Sequence, residues 1–496
     1  MLKIMKRIVI IFSIFSFLFV PMACNEELDI NKNPLAATKA DPNAVLPYVM
    51  VVYSNRKITE VGTRMIDVWQ NVAVTFNSGR DGTTPIFVAI NEWRVLHTDV
   101  LANLMLVEKD ARAVGATNNN ITAIAVILKA LAYHDLTCLF NDVPFTEALN
   151  AKEFPAPKFD SQQTVLNGII TLLDDAVVLI DAIPAVGAAN VSTGDLIYGG
   201  NMDSWRRYAR SLQLRVLMLI RNNAASAPAA DTKINAILTE DRLINSNTTN
   251  AAMLKYSNAP GNQNAWAGLQ IRFGTGSNET NRFWGPSAIL RGLLFDIGGP
   301  GVHDPRLNLW AIPGTGGTYF AQPIGTFPTA ATGLFRDNLV RTDLPDMWFL
   351  PSEISFYKAE LALKGVIPGG AVAADFSYRQ GLNETLSFWG GSIPGARITL
   401  TSSQIATFIA TKAALNSLTP ANALIEVGNQ QYLEAFWRPI ESWNTVRRNK
   451  VPDVLAAPGS TVSTMVKRLN YPSTEVGSNP NTPGPKNTDV KMWFEN

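Results

Sequence analysis

The sequence predicts a mostly α fold, with tetratricopeptide-like helical hairpins forming a superhelical body and a packed, irregular, loop-rich region beside it. Three observations predict this. Apolar residues recur at helical spacing along most of the chain. Two long stretches, at about 258–300 and 313–345, are instead rich in Gly, Pro, Asn and Thr. Strand-like runs are few and short, and the candidates are Phe87–Ala89 and Arg397–Leu400. No clean 34-residue repeat is visible, so the hairpin prediction depends on the rhythm of helix pairs.

The first group of helix pairs is predicted at about 91–222. Its runs are Asn91–Arg112, Ile121–Phe140, Gln162–Ala182 and a helix opened by Asn201. Ser161, with an apolar residue before it, is typical of a helix N-cap, because its hydroxyl can accept a bond from a free backbone N–H. Trp205 and Leu212 share one face of the last run, which indicates a packed helix.

The second group is predicted at about 352–450. Its runs are Ser352–Lys364, Ala374–Trp389, Ser402–Ala414 and Asn429–Arg448. Gly365, followed by Pro368, should end the first of these, since Gly readily takes the left-handed conformation of a helix C-terminus. Pro439 should break the last, because it lacks an N–H to donate. Between the two groups lies the irregular region, at about 250–345.

The N-terminus is typical of a secreted bacterial lipoprotein. Three basic residues precede Ile8–Val20, an apolar run that is too short to span a membrane. A small residue then stands directly before Cys24, where cleavage would leave a cysteine carrying lipid. We therefore predict a signal peptide at 1–23, a lipidated tether at 24–42 and one body at 43–496. Loss of the leader removes three positive charges and no acid, so the formal net charge changes from +1 to −2.

Composition excludes several classes of function. Only 17% of the 496 residues are charged and the charges balance, so a basic face for nucleic acid is not expected. Two Cys and three His argue against a disulfide framework and a zinc site. Asp29, Asn31 and Asn33 resemble the start of a calcium loop, but Pro34 replaces the Gly that such a loop needs. No catalytic motif is present. An enzyme is not predicted, although distant paired carboxylates would leave no local motif.

Several segments together resemble one family, the SusD/RagB nutrient-binding lipoproteins, and its SusD-like subgroup most. One of them, Leu139–Leu149, reads LFNDVPFTEAL, with Asn141 where the family usually has Gly. Another is Gly194–Gly200, which leads into Trp205. The remaining segments are Leu28–Pro34, Ser211–Arg215, Asp304–Leu307, Ser352–Gly365, Glu441–Arg448 and Arg468–Asn479. They follow the family order across nearly the whole mature chain.

The resemblance implies four tetratricopeptide-like helix pairs with a second, irregular region packed on them. It implies an outer-membrane protein, anchored by lipid on Cys24 and facing the cell exterior. Its role would be to capture a nutrient, in the first place an oligosaccharide, and to act as the lid of a SusC-like TonB-dependent transporter. The family members catalyse no reaction and need no cofactor. Two alternatives keep this placement: peptide cargo, or a structural lid that binds nothing.

The ligand site is predicted from chemistry rather than from a family motif. A sugar is held by aromatic rings against its CH faces and by side chains that pair with its hydroxyls. The resemblance implies that the ligand surface lies in the early loops and the irregular region. Aromatic residues in Asn-rich segments of these regions are therefore the candidates. The candidates are Trp69, Asn71, Asn77, Arg80, Trp266, Phe283 and Trp284. Trp69 also shares helical spacing with core-type residues. Trp93, Trp205 and Trp443 are expected to be packing residues.

Overall fold

Helices dominate the computed structural model, which describes residues 41–58, 86–266, 286–295, 297, 301–314, 316–321, 334–454, 463–484 and 486–495. The helices, labelled along these residues, are α1 Pro42–Ile58, α2 Ile86–Arg94, α3 Ala102–Val114, α4 Asn119–Phe140, α5 Gln162–Asp181, α6 Met202–Ile220, α7 Ala227–Glu240, α8 Ala288–Leu294, α9 Pro305–Trp310, α10 Pro351–Leu363, α11 Gly370–Ser387, α12 Ser402–Thr411, α13 Pro420–Glu434, α14 Pro439–Asn449 and α15 Ser473–Ser478. Two π-helical turns, Val95–Leu101 and Phe388–Ser392, follow α2 and α11. Three 3₁₀ turns are Ala116–Asn118, Leu415–Ser417 and Trp493–Glu495.

Strands are short in the described part of the chain. They are β1 Ala252–Leu254, β2 Ala311–Ile312, β3 Leu334–Phe335 and β4 Asp346–Phe349. β1 pairs antiparallel with β4, and β2 pairs antiparallel with β3. Both ladders lie between α7 and α10. Each one joins two segments that are separated in the sequence.

Consecutive helices pack against each other from α3 to α7, and again in the pairs α10–α11 and α13–α14. This is the helix-pair arrangement that the sequence predicts, and the tetratricopeptide-like body is confirmed. α4 lies at its centre, with almost every side chain buried, as expected of a helix that is apolar all round. Residues 41–496 form one compact unit.

Local signals placed most helix ends correctly. The Ser161 hydroxyl accepts from Thr164 N at 3.3 Å and caps α5. Gly365 ends α10 in the left-handed conformation, with φ of +70°. The predicted run Asn429–Arg448 does break, and Pro439 takes the first turn of α14, where its missing N–H costs nothing.

Three predictions about local structure were incomplete or wrong. α1 lies in a segment with little helical signal, since it contains Pro47 and is only weakly amphipathic. Burial of Tyr53 and Arg56 against the body stabilises it instead. Phe87–Ala89 belongs to a helix. Arg397–Leu400 is irregular, because the side-chain oxygen of Asn338 accepts its first two backbone N–H groups in place of a partner strand.

Two helical spans, Ala116–Phe140 and α5, are long and apolar enough to cross a membrane. Within the described residues, 94% of the first window is buried inside the protein, against 39% of the second. The first is therefore the core helix of the body. For α5, whose apolar face packs on α4 and α6, length and composition alone are weak grounds for a membrane span.

Candidate ligand-binding region

Most of the predicted site residues lie outside the part of the chain that the structure describes. They are Cys24, Trp69, Asn71, Asn77, Arg80, Phe283 and Trp284. Their roles stay predictions. Trp266 is described, and so is part of the loop-rich region.

Trp266 is 1% exposed and packs edge-on against Trp437, with 4.8 Å between ring centroids. The preceding Asn264 fixes this position. Its side chain donates to Leu344 O at 2.7 Å and accepts from Trp266 N at 2.8 Å. Its own N–H donates to Thr342 O at 2.7 Å. In this arrangement the ring offers no free face to a ligand, so the structure gives Trp266 a packing role. Ligand binding by Trp266 would require its ring to move away from Trp437.

Three aromatic rings, Phe295, His303 and Tyr319, pack together in the loop-rich region. With Phe320, which follows Tyr319 in the sequence, we call these residues the aromatic edge cluster. Phe295 stacks on His303 at 4.4 Å, and the Tyr319 ring lies about 6 Å from both, at 6.2 and 6.0 Å. The guanidinium of Arg291 covers the other side of Phe295 at 4.1 Å. Phe320 is 50% exposed. A half-exposed aromatic ring of this kind can pack against the CH face of a sugar.

Sequence reasoning missed this cluster because it searched for aromatic residues with Asn neighbours. Tyr319 and Phe320 instead follow a Gly-rich turn at 314–317. An adjacent aromatic pair after such a turn was the available signal, since one ring of the pair can anchor while the other faces solvent. Here Tyr319 anchors, and its hydroxyl donates to Asn308 Oδ1 at 2.6 Å.

Beneath this region, a buried charge network joins the helices of the body. Glu353 of α10 accepts from Arg215 of α6 at 2.7 Å and also pairs with Arg438. Arg215 reaches Glu441 of α14 at 3.2 Å. Arg56 of α1 pairs with two further buried carboxylates, Glu92 and Asp135. A buried charge is tolerated only when paired and hydrogen-bonded, so these contacts fix the helices relative to one another.

The network determines the charge states of its members. Burial alone would raise the pKa of Asp135, but the Arg56 guanidinium and the His134 ring outweigh it and lower that pKa to about 2. Burial alone would lower the pKa of His134. Its contacts with Cys138, Glu441 and Asp135 outweigh that effect and hold the pKa well above its usual value. The contacts of His134 therefore favour its protonated form beside the two carboxylates.

His134, Asp135 and Glu441 also have the composition of a metal site, since their ligand atoms lie within 4.8 Å of one another. The surroundings do not fit a cation. Arg56 already pairs with Asp135, and Arg215 with Glu441. The positive charge of these two guanidinium groups would repel a metal ion, and the raised pKa of His134 disfavours the neutral ring that a metal ligand must be. The cluster serves as an ion-paired support of the fold.

The segments that carry the family resemblance supply this scaffold rather than a ligand surface. Asp195 accepts from the Trp205 indole N–H and from Gly200 N, both at 2.7 Å. Arg448 forms two hydrogen bonds with Glu360, and Asp304 forms two with Arg306. Trp205 and Trp443 of these segments are buried, as expected of packing residues, and so is Trp93, which lies on an apolar helical stripe outside them.

A family model, SusD-like, described as starch-binding associating with outer membrane, matches residues 39–472. The chain belongs to the SusD-like family. Membership agrees with the scaffold just described and makes this a nutrient-binding protein rather than an enzyme. A search of curated proteins finds no match.

Solved structures share the SusD-like fold over most of their length. A chitin-binding protein matches with a TM-score of 0.75 and 21% identity, over 92% of this chain and 100% of the other. A structure titled Bacteroidetes AC2a SusD-like gives a TM-score of 0.76 and 19% identity, over 92% and 100%. A SusD homologue from Bacteroides uniformis gives 0.71 and 18%, over 91% and 99%. At these identities the likeness establishes the fold alone.

Proposed function

We propose that this SusD-like chain is a lipid-anchored protein on the outer face of the outer membrane that captures an oligosaccharide. It delivers the sugar to a SusC-like TonB-dependent transporter and acts as the lid of that transporter. The family match over residues 39–472, whose description is starch binding at the outer membrane, carries the proposal. The chitin-binding title of one structural neighbour supports a carbohydrate as the class of ligand.

The geometry supports capture on the loop-rich region. Phe320 is a half-exposed ring that directly follows Tyr319, and Tyr319 is anchored by ring contacts with Phe295 and His303. A backbone fixed on one side of the exposed ring lowers the conformational entropy that is lost when a ligand packs on it. The helices below are joined by paired buried charges, so they can support ligand loops without moving themselves. A binding protein requires a rigid body of this kind with a variable surface.

Capture can be tested with the full-length protein in detergent on an array that carries oligosaccharides and peptides. We expect binding to oligosaccharides. Phe320→Ala should weaken the affinity about tenfold, a loss of about 1.4 kcal/mol, because the sugar loses an aromatic contact. Phe376→Ala is the matched control, since Phe376 of α11 is also an exposed phenylalanine, at 73%, but lies on a helix of the body.

The other outcomes identify the alternatives. Binding to peptides alone would replace the proposed cargo. Binding to neither class, by a folded protein, would leave a structural lid. Equal losses in Phe320→Ala and Phe376→Ala would move the ligand surface away from the aromatic edge cluster. Co-purification of a TonB-dependent barrel with the native protein tests the partner, and its failure under cross-linking would overturn the lid role.

The anchor has a separate test at Cys24. The proposal requires this residue to carry lipid after removal of 1–23, and two or more acyl chains suffice for stable membrane attachment. Cys24→Ser should move the protein from the membrane fraction to the soluble fraction. Unchanged fractionation of that variant would contradict lipid anchoring.

A further inference from the structure

A second concave surface lies on the body, between α3, α4, α5 and the segment that follows α4. This groove encloses about 390 Å³, within the range of about 300–1,000 Å³ typical of small-molecule sites. None of its lining residues belongs to the loop-rich region. We name it the α3–α5 groove and describe it by six lining residues: Glu108, Lys109, Arg112, Lys129, Tyr133 and Phe145.

Tyr133 of α4 lines the groove with a hydroxyl that needs a partner. The side chain is only 4% exposed, yet its hydroxyl forms no hydrogen bond with the residues that the structure describes. Burial and the nearby carboxylates of Asp160 and Glu108 raise its pKa, so the hydroxyl stays protonated. Solvent still reaches this hydroxyl in the groove, so it is free to donate a hydrogen bond to a ligand with an acceptor oxygen.

Phe145 forms an aromatic wall next to this hydroxyl. Its ring meets Tyr133 edge-on at 4.7 Å. Gly168 of α5 allows the close approach, because a Cβ at that position would lie 2.3 Å from the ring. The ring is thus seated directly on a helix backbone. An aromatic wall beside a hydroxyl donor is suited to a ring that has both CH faces and oxygen atoms, as a sugar has.

The charges that line the groove favour an anion. Three cations, Lys109, Arg112 and Lys129, face a single lining carboxylate, Glu108. Arg112 and Lys129 both pair with Glu108, and Arg112 also contacts Asp175. Lys109 is exposed and forms no ion pair within the described residues. The positive charge of Lys109 at the rim of the groove is thus available to pair with the carboxylate of a ligand.

We propose that the α3–α5 groove binds an acidic sugar residue of the hexuronate class. The sugar ring packs on Phe145, a ring or hydroxyl oxygen accepts from the Tyr133 hydroxyl, and the carboxylate lies between Lys109 and Arg112. The inference rests on the proposed capture of oligosaccharides, to which it adds a second subsite and a charge preference.

The test is calorimetry of the full-length protein in detergent at low salt, with digalacturonate and glucuronate as acidic probes and maltose as a neutral one. We expect an acidic probe to bind at least tenfold more tightly than maltose. Binding should weaken in 0.5 M salt, because ion pairs at the rim are screened. Tyr133→Phe and Lys109→Gln should each weaken binding at least fivefold. Gly168→Ala should also weaken it, by displacing the Phe145 ring.

Tyr432→Phe is the matched control. Its hydroxyl likewise has no hydrogen bond among the described residues, but it is fully buried and lies outside the groove. This variant should bind as the wild type does. The proposal is overturned if neither acidic probe binds, or if Tyr133→Phe and Lys109→Gln bind as the wild type does. Oligosaccharide binding that falls in Phe320→Ala but not in the groove variants would overturn this subsite and keep the proposed function.

Discussion

The body and the loop-rich region have different interiors. In the body, Arg56, Arg215 and Glu353 are buried and joined into the charge network. The loop-rich region packs instead around an aromatic cluster that it shares with the end of α13 and the π-helical turn after α11. Its members include Trp266, Trp310, Phe335, Trp389, Phe436 and Trp437.

The two interiors differ in how strictly they fix the relative orientation of the groups that they join. Ion pairs and their hydrogen bonds have fixed geometry, so the network accepts few alternative helix arrangements. Aromatic packing depends mainly on volume and contact. Among the described residues, the indole N–H groups of Trp310, Trp389 and Trp437 have no hydrogen-bond acceptor. A core of this kind can support loops of varied sequence while the body below stays constant, which suits a family that shares a fold at low identity.

Breaking the charge network should have the largest effect. Glu353→Ala leaves Arg215 and Arg438 without their shared carboxylate in the interior. We expect a loss of about 3–5 kcal/mol in the free energy of unfolding. Denaturant unfolding followed by circular dichroism measures it. Asp203→Ala is the control, because that carboxylate also pairs with two arginines but is 52% exposed. It should cost less than about 1 kcal/mol. Similar losses in both variants would contradict the role given to burial.

A change in the aromatic interior should cost less. Trp310 is fully buried and stacks on Phe436 at 4.0 Å. Trp310→Phe removes ring volume but leaves no charge or hydrogen-bond partner behind, so we expect a loss of about 1–2 kcal/mol. The same unfolding experiment measures it. A loss as large as that of Glu353→Ala would mean that the two interiors do not differ as argued.

The stability of the body should depend on pH through His134. Its pKa is higher in the folded protein than in the unfolded chain, so its contribution is fully present below about pH 6.5 and is lost as pH rises through the folded value. Compared with His134→Gln, the wild type should therefore lose its advantage as the pH rises from 6.5 into the alkaline range, by up to about 1.4 kcal/mol for each unit of pKa shift. Unfolding of both proteins across this range tests it. An advantage that grows with pH would contradict a protonated His134.

The smallest effect on stability is expected at Phe320. A side chain that is 50% exposed contributes little to folding, so Phe320→Ala should change the free energy of unfolding by no more than about 0.5 kcal/mol. The same variant should weaken ligand binding clearly. Thermal unfolding and titration on one preparation separate the two quantities. A large loss of stability would make Phe320 a packing residue of the loop-rich region.

Prediction from sequence succeeded where the determinant is local. α5 is predicted at Gln162–Ala182 and found at Gln162–Asp181, because a cap and an apolar stripe define a helix within one segment. It failed for α1, whose Pro47 and weak pattern are outweighed by burial against distant helices. Trp266 shows the same limit. Its Asn-rich setting indicates a binding loop, yet Asn264 bonds to Leu344 and holds the segment against the core.

The sequence by itself determined the helical class, the helix pairs and the family, because periodicity, caps and ordered motifs are properties of neighbouring residues. Only the tertiary structure decided that the family motifs build a charged scaffold, that Trp266 faces inward while Phe320 faces outward, and that Tyr133 meets Phe145 in a groove. Each of these depends on which distant side chains supply partners. An ionised or aromatic side chain becomes a support or a contact surface according to what is packed against it, and no stretch of sequence contains that information.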